Sequence, residues 1–193
     1  MNRKLMLPVL FVIAATVAVS AGDLGGKVSG VSGKSVVYVD AISGKPFPPA
    51  DKHPVMDQKS LQFQPHILVV QQGTTVDFLN SDNVQHNVFW PSIGGDKKAG
   101  HNLGTWPKGE KKSFKFDHPG VAPLLCNVHP EMAGYIVVSP TPYFAETDES
   151  GNYTIKDVPD GQYTVTAWHE GAKPKSQPVK VAAASKSDFT LSK

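Results

Sequence analysis

Arginine and cysteine are nearly missing from this chain of 193 residues: Arg3 and Cys126 are the only ones. Proteins that read nucleic-acid grooves and phosphates rely on arginine forks and a basic face. One arginine and a formal net charge of +2 therefore argue against a nucleic-acid partner. A single cysteine permits no internal disulfide. Past residue 21 no apolar run is long enough to span a membrane. Amphipathic stretches of helical period are missing too, while 17 glycines and 16 prolines punctuate the chain. That combination predicts an all-β fold with many turns.

The excess positive charge sits at the N-terminus. Arg3 and Lys4 precede an apolar stretch from Leu5 to Val19, and Val19-Ser20-Ala21 offers small residues for cleavage. Residues 1–21 therefore read as a secretory signal peptide, which makes the mature protein periplasmic or secreted. About fifteen apolar residues fall short of the ~20 that a spanning helix needs, so no stable membrane insertion is expected after cleavage. Cleavage after Ala21 leaves acidic and basic side chains equal in number, so no net charge steers a partner.

Short β-rich runs fill the rest. Residues 35–39, 66–70, 74–79, 112–116 and 135–138 are strand candidates bounded by Gly and Pro, and residues 92–104 read as a surface loop. Lys97, Lys98, Lys108, Lys111, Lys112 and Lys115 face Glu110 alone, the pattern of a solvated loop and an edge strand guarded by charge. A second rhythm of turns and strands begins near Pro142.

One segment carries chemistry. Cys126-Asn127-Val128-His129-Pro130-Glu131-Met132 sets a thiol, an imidazole and a thioether at i, i+3 and i+6. In an oxidising compartment an odd cysteine is a liability unless something occupies its sulfur. His86 stands about forty residues upstream, a distance that suits a ligand from a neighbouring strand end. Two His and one Cys with a weak axial Met form a blue-copper donor set: soft sulfur favours Cu(I), and imidazole suits both oxidation states. One Cys and two His also suit zinc, and a Met beside a strand can simply pack. The Met and the single-cysteine loop favour copper. His53, His101, His118 and His169 have no partner spacing, and His66 beside Pro65 reads as structural.

Residues 63–138 resemble a cupredoxin of the plastocyanin/amicyanin type. The resemblance is carried by Phe63-x-Pro65, Gly73-Thr-Thr-Val-Asp-Phe-Leu-Asn80, His86-Asn87-Val88, Phe116-x-x-Pro119-Gly120 and the Cys126 loop running into Gly134-Tyr-Ile-Val-Val138. It implies a Greek-key sandwich and one type 1 copper ion held by His86, Cys126, His129 and Met132. It also implies that Asn87 ties the two ligand loops by hydrogen bonds. Leu125 stands where family members commonly carry an aromatic, so the remote acidic docking route of plastocyanins is not expected. The expected exit for an electron is the edge of His129, framed by Pro130, Val88 and Trp90. Residues 144–191 resemble the carboxypeptidase regulatory-like family, a prealbumin-like β-sandwich. Thr147-Asp148-x-x-Gly151-x-Tyr153 and Pro159-x-Gly161-x-Tyr163-x-Val165-x-Ala167 carry that likeness, which implies a fold and no peptidase chemistry.

The expected layout is a leader over 1–21, a copper-binding cupredoxin domain over 51–140 and a second small β-sandwich over 141–193. The C-terminal segment is short for an independent core. Strands from 23–50, which resemble the opening hairpin of the regulatory-like family, are expected to complete it. The expected function is one-electron transfer between redox partner proteins, without enzymatic turnover. The alternative is copper binding or delivery without redox traffic. A copper oxidoreductase is disfavoured, because Leu125 and Asn127 flank Cys126 and no His-x-His pair occurs.

Overall fold

The computed structural model describes residues 20–193 apart from residues 45 and 50. The leader expected over residues 1–21 lies outside the described residues except for Ser20 and Ala21. Two strands open the described chain, β1 (Ala21–Ser29) and β2 (Val36–Val39). The middle segment runs through β3 (Val55–Lys59), β4 (Gln62–Gln64), β5 (Ile67–Gln71), β6 (Thr74–Asn80) and β7 (His86–Trp90). It continues as β8 (His101–Trp106), β9 (Lys111–Phe116), β10 (Gly120–Leu125) and β11 (Ala133–Ser139). The C-terminal strands are β12 (Phe144–Glu146), β13 (Asn152–Pro159), β14 (Gly161–Trp168), β15 (Lys175–Val181), β16 (Ala184–Lys186) and β17 (Phe189–Thr190).

The middle segment forms two sheets, ordered β4-β3-β6-β9 and β5-β11-β10-β7-β8. Period-two alternation aims Val76 and Phe78 of β6, Leu124 of β10, and Ile136 and Val138 of β11 into one shared core with Trp90, Trp106 and Phe116. The exposed Lys111 and Lys115 lie on β9, at the edge of its sheet, where charge blocks further strand pairing. The loop expected over 92–104 ends early. A short 3₁₀ turn (Lys97–Ala99) and the start of β8 occupy its second half, because His101 and Asn102 find backbone partners opposite Trp90 and Phe89.

The remaining strands build a second sandwich from sheets β13-β1-β16, with β17 also on β1, and β12-β2-β14-β15. β1 and β2 are not paired with each other, so the expected opening hairpin is corrected. β1 lies between β13 and β16, and β2 between β12 and β14, in separate sheets. Val37, Val39, Val165 and Ala167 face the core of this sandwich with Leu24, Ile155 and Phe189.

β2 and β11 are apolar on both faces. Val37 and Val39 face their own core, while Val36 and Tyr38 point the other way. Ile136 and Val138 likewise face inward, while Tyr135 and Val137 point outward. The two outward faces meet in a third cluster with Ile67, Val69, Val121 and Trp168, which seals one sandwich against the other. Continuous apolar runs therefore mark strands buried on both sides.

Candidate metal centre

At one end of the middle sandwich, Asn80 closes β6 and knots the loop that leads into β7. Its Nδ2 donates to the Val84 carbonyl at 2.9 Å and the Trp106 carbonyl at 3.0 Å, and its Oδ1 accepts the Asp82 N–H at 2.9 Å. Asp82 is thereby turned back over the β3–β4 hairpin. The two turn residues, Ser60 and Leu61, both have φ of 57°. Side chains resist that left-handed conformation. The Asp82 carboxylate accepts both of their N–H groups, at 2.7 and 2.9 Å.

The same carboxylate orients His86. His86 Nε2 lies 2.9 Å from Asp82 Oδ2, and the imidazole is fully buried. Burial works to raise the Asp82 pKa. The Leu61 N–H, the His86 ring and the Ser60 N–H outweigh it and hold the carboxyl below its ordinary range. A carboxylate at Nε2 demands a proton there, so the Nδ1 lone pair is left free for a metal.

That Nδ1 points at His129 Nδ1, 3.0 Å away. Cys126 Sγ stands 4.0 Å from the same His129 nitrogen, and the three donor atoms all lie within 4.8 Å of one another. Among the described residues this is the one group of three or more His, Cys, Asp or Glu side chains so arranged. Strand geometry delivers it: His86 begins β7, Cys126 follows β10, and the Leu125–Phe89 pairing sets the two strand ends side by side. The Asn87 backbone N–H donates to Cys126 Sγ at 3.4 Å, and Asn87 Oδ1 accepts the Asn127 N–H at 3.3 Å. These two hydrogen bonds join the His86 and Cys126 loops.

Met132 is buried in the same apolar cluster as Cys126, and its N–H closes a turn on the His129 carbonyl at 3.0 Å. Two imidazoles and one thiol, mostly shielded from water, fit a copper ion.

Residues 52–139 match the family model described as copper binding proteins, plastocyanin/azurin family. This segment is a plastocyanin/azurin-type domain. Residues 135–192 match the carboxypeptidase regulatory-like domain. Among solved structures, reduced amicyanin carrying a tryptophan-to-tyrosine change is similar at 28% identity, covering 47% of this chain and 85% of its own, with a TM-score of 0.42. A Cu(I) form of another amicyanin mutant is 25% identical over 55% of this chain and 100% of its own, also at 0.42. The copper-containing nitrite reductase of Thermus scotoductus SA-01 is 25% identical over 52% of this chain and 25% of its own, again at 0.42. No curated protein matches the chain.

The histidines outside the plastocyanin/azurin-type centre find other partners. His53 meets Asp77 at 3.2 Å, His66 meets Glu170 at 2.7 Å, and His169 Nε2 donates to the Ser32 carbonyl at 2.9 Å. His101 packs its ring against Trp90 and Phe114, and His118 is exposed. One expectation about the rim is corrected. Val88 and Trp90 are buried in the core and frame no surface, because β7 carries them inward away from the ligand end. Pro130 is exposed as expected, joined by Val84 and Val128, 46% and 47% exposed, on the two ligand loops. Asp82 and Asn80 escaped the sequence reading, since polar residues in a turn carry no signal of what they hold.

Proposed function

We propose that the protein is an exported copper protein that carries one electron at a time, with His86, Cys126, His129 and Met132 as ligands. The observation that carries the reading is the convergence of His86, Cys126 and His129 within 4.8 Å in a plastocyanin/azurin-type segment. Bound copper supplies a Cu(II)/Cu(I) couple; the chain supplies a site that accepts both states with little rearrangement. Asp82 holds His86 in one tautomer, and Asn87 donates to the thiolate and fastens its loop. His129 is only half-buried while His86 is fully buried, so its edge is the exit, flanked by exposed Val84, Val128 and Pro130.

Four protein donors leave no position for a substrate, which favours a carrier over an enzyme. The leader pattern of residues 1–21 supports a periplasmic or secreted location. A redox partner protein docks at the His129 edge.

The optical spectrum of Cu(II)-loaded protein tests the centre. Thiolate-to-copper charge transfer should colour it intensely, and Cys126→Ser should abolish the colour, since a hydroxyl does not ionise to replace the thiolate. A colour that survives the substitution sinks the assignment. Met132→Leu should keep copper bound and raise the reduction potential, because an apolar side chain stabilises Cu(II) less than a thioether. An unchanged spectrum and potential would make Met132 a packing residue. Copper delivery without redox traffic predicts slow electron self-exchange, which distinguishes it from a carrier.

A further inference from the structure

Strand β8 supplies no ligand, yet it reaches the centre through Asn87. The β7–β8 pairing runs His86 to Trp106, Asn87 to Thr105 and Val88 to Gly104, then slips, so that Phe89 faces Asn102. Leu103 is the extra residue of a β-bulge. Gly104 sits in the bulge at φ +81°. A Cβ there would meet nothing closer than the Lys112 ammonium at 3.8 Å. Glycine is therefore needed for its conformation and not for space.

The bulge turns two acceptors toward Asn87. Asn102 Oδ1 accepts the Gly104 N–H at 2.8 Å and Asn87 Nδ2 at 2.9 Å, and the Gly104 carbonyl accepts Asn87 Nδ2 at 2.9 Å. An amide nitrogen has two hydrogens, and both are used. Asn87 Oδ1 is thereby turned to the Asn127 N–H, which it accepts at 3.3 Å. Asn87 is 3% exposed, so a hydrogen without an acceptor would be costly there.

We infer that Asn102, through the Gly104 bulge, is a positioning residue for the metal centre: it locks the Asn87 amide that fastens the Cys126 loop and aims a backbone N–H at the sulfur. The inference rests on the copper reading above. Hydrogen bonds around the cysteine sulfur help set the potential of such a site, so loosening Asn87 should move that potential without touching a ligand.

Asn102→Ser separates positioning from upkeep of the bulge. A serine hydroxyl can still accept the Gly104 N–H two residues on, but it is too short to reach Asn87. Asn102→Asp keeps an acceptor for both donors. Amide exchange by NMR on the metal-free full-length protein should show the Asn127 N–H exchanging about tenfold faster in Asn102→Ser, the loss of roughly one hydrogen bond. Asn102→Asp should stay at the wild-type rate. In the Cu-loaded protein, Asn102→Ser should lower the reduction potential, since a weaker N–H···S bond stabilises Cu(I) less. A lower melting temperature with unchanged exchange and potential would overturn the inference and leave Asn102 a bulge former. Unchanged values throughout would overturn it as well. A wild type that takes up no copper colour would overturn the copper reading itself. If Asn102→Ser fails to fold, Gly104→Ala, which strains the same bulge, should give the same two signatures.

Discussion

The two sandwiches bury polar groups in different ways. In the plastocyanin/azurin-type segment the buried polar side chains include Gln58, Asp77, Asn80, His86 and Asn87, long groups with several bonding sites. In the other sandwich they are mainly short hydroxyls: Ser35, Thr141, Thr147, Thr166 and Ser187. Those hydroxyls tie nearby backbone. Thr147 Oγ1 accepts the Ser35 N–H at 2.9 Å, and Thr141 Oγ1 donates to the Val39 carbonyl at 2.8 Å. Asn80 and Asn87 instead span loops, and Asn87 fastens the loop that carries the thiol. A hydroxyl can close a strand end; an amide or carboxylate is needed to orient a ligand across one.

The largest expected effect comes from cutting the chain between the two. We expect residues 51–140 alone to fold and take up copper in coloured form, and residues 141–193 alone to stay unfolded. β1 is the strand to which β13, β16 and β17 all attach, and β2 lies between β12 and β14. Without them, each sheet of the second sandwich loses an interior strand, and hydroxyl ties cannot substitute for missing ladder bonds. Circular dichroism of both pieces checks this. A folded 141–193 would mean that its short core suffices.

Much of this was legible in the sequence. His86, Cys126 and His129 meet as their spacing required, and the turn residues bounded most strands. Other features depend on partners far away in the chain. Nothing near residue 24 says that it pairs with Ile155, and Val36-Val37-Tyr38-Val39 does not declare that its two faces cover different cores. Asn102 looked like loop because its role rests on a bulge and on Asn87, fifteen residues earlier.

A smaller effect should appear with pH in the plastocyanin/azurin-type sandwich. Asp77 lies on β6 with its side chain turned from the core, and its pKa is held down at about 2. The Lys111 ammonium at 2.7 Å is the main cause, helped by the Ser113 hydroxyl at 2.6 Å and by His53, against burial that pushes it up. The folded pKa is below the unfolded value of about 3.9, so its stabilisation is complete above that value and lost as pH falls toward 2. With Lys111 half in solvent, a contribution of about 1–2 kcal/mol at neutral pH is reasonable. Asp77→Asn should lose that amount at pH 7 in urea unfolding, and should differ little from wild type near pH 2. Equal loss at both pH values would mean that packing, not charge, holds this group.

The smallest expected effect lies at the seam. His66 Nε2 meets Glu170 Oε2 at 2.7 Å, one residue from each sandwich, with side chains 50% and 40% exposed. Beside them Tyr135 packs edge-on to His66 and against Trp168, with centroids 5.6 and 5.2 Å apart. The apolar cluster should carry the join, because an exposed imidazole–carboxylate contact contributes only about 0–1 kcal/mol. Glu170→Gln should therefore shift the melting temperature only slightly. His66 also lines a cleft with Glu131 and Met132, so the same variant asks whether the second sandwich influences the proposed axial ligand. An unchanged reduction potential in Glu170→Gln keeps the two sandwiches chemically separate. A shifted one would make the regulatory-like sandwich part of the redox machinery and break the division of labour drawn from their buried polar groups.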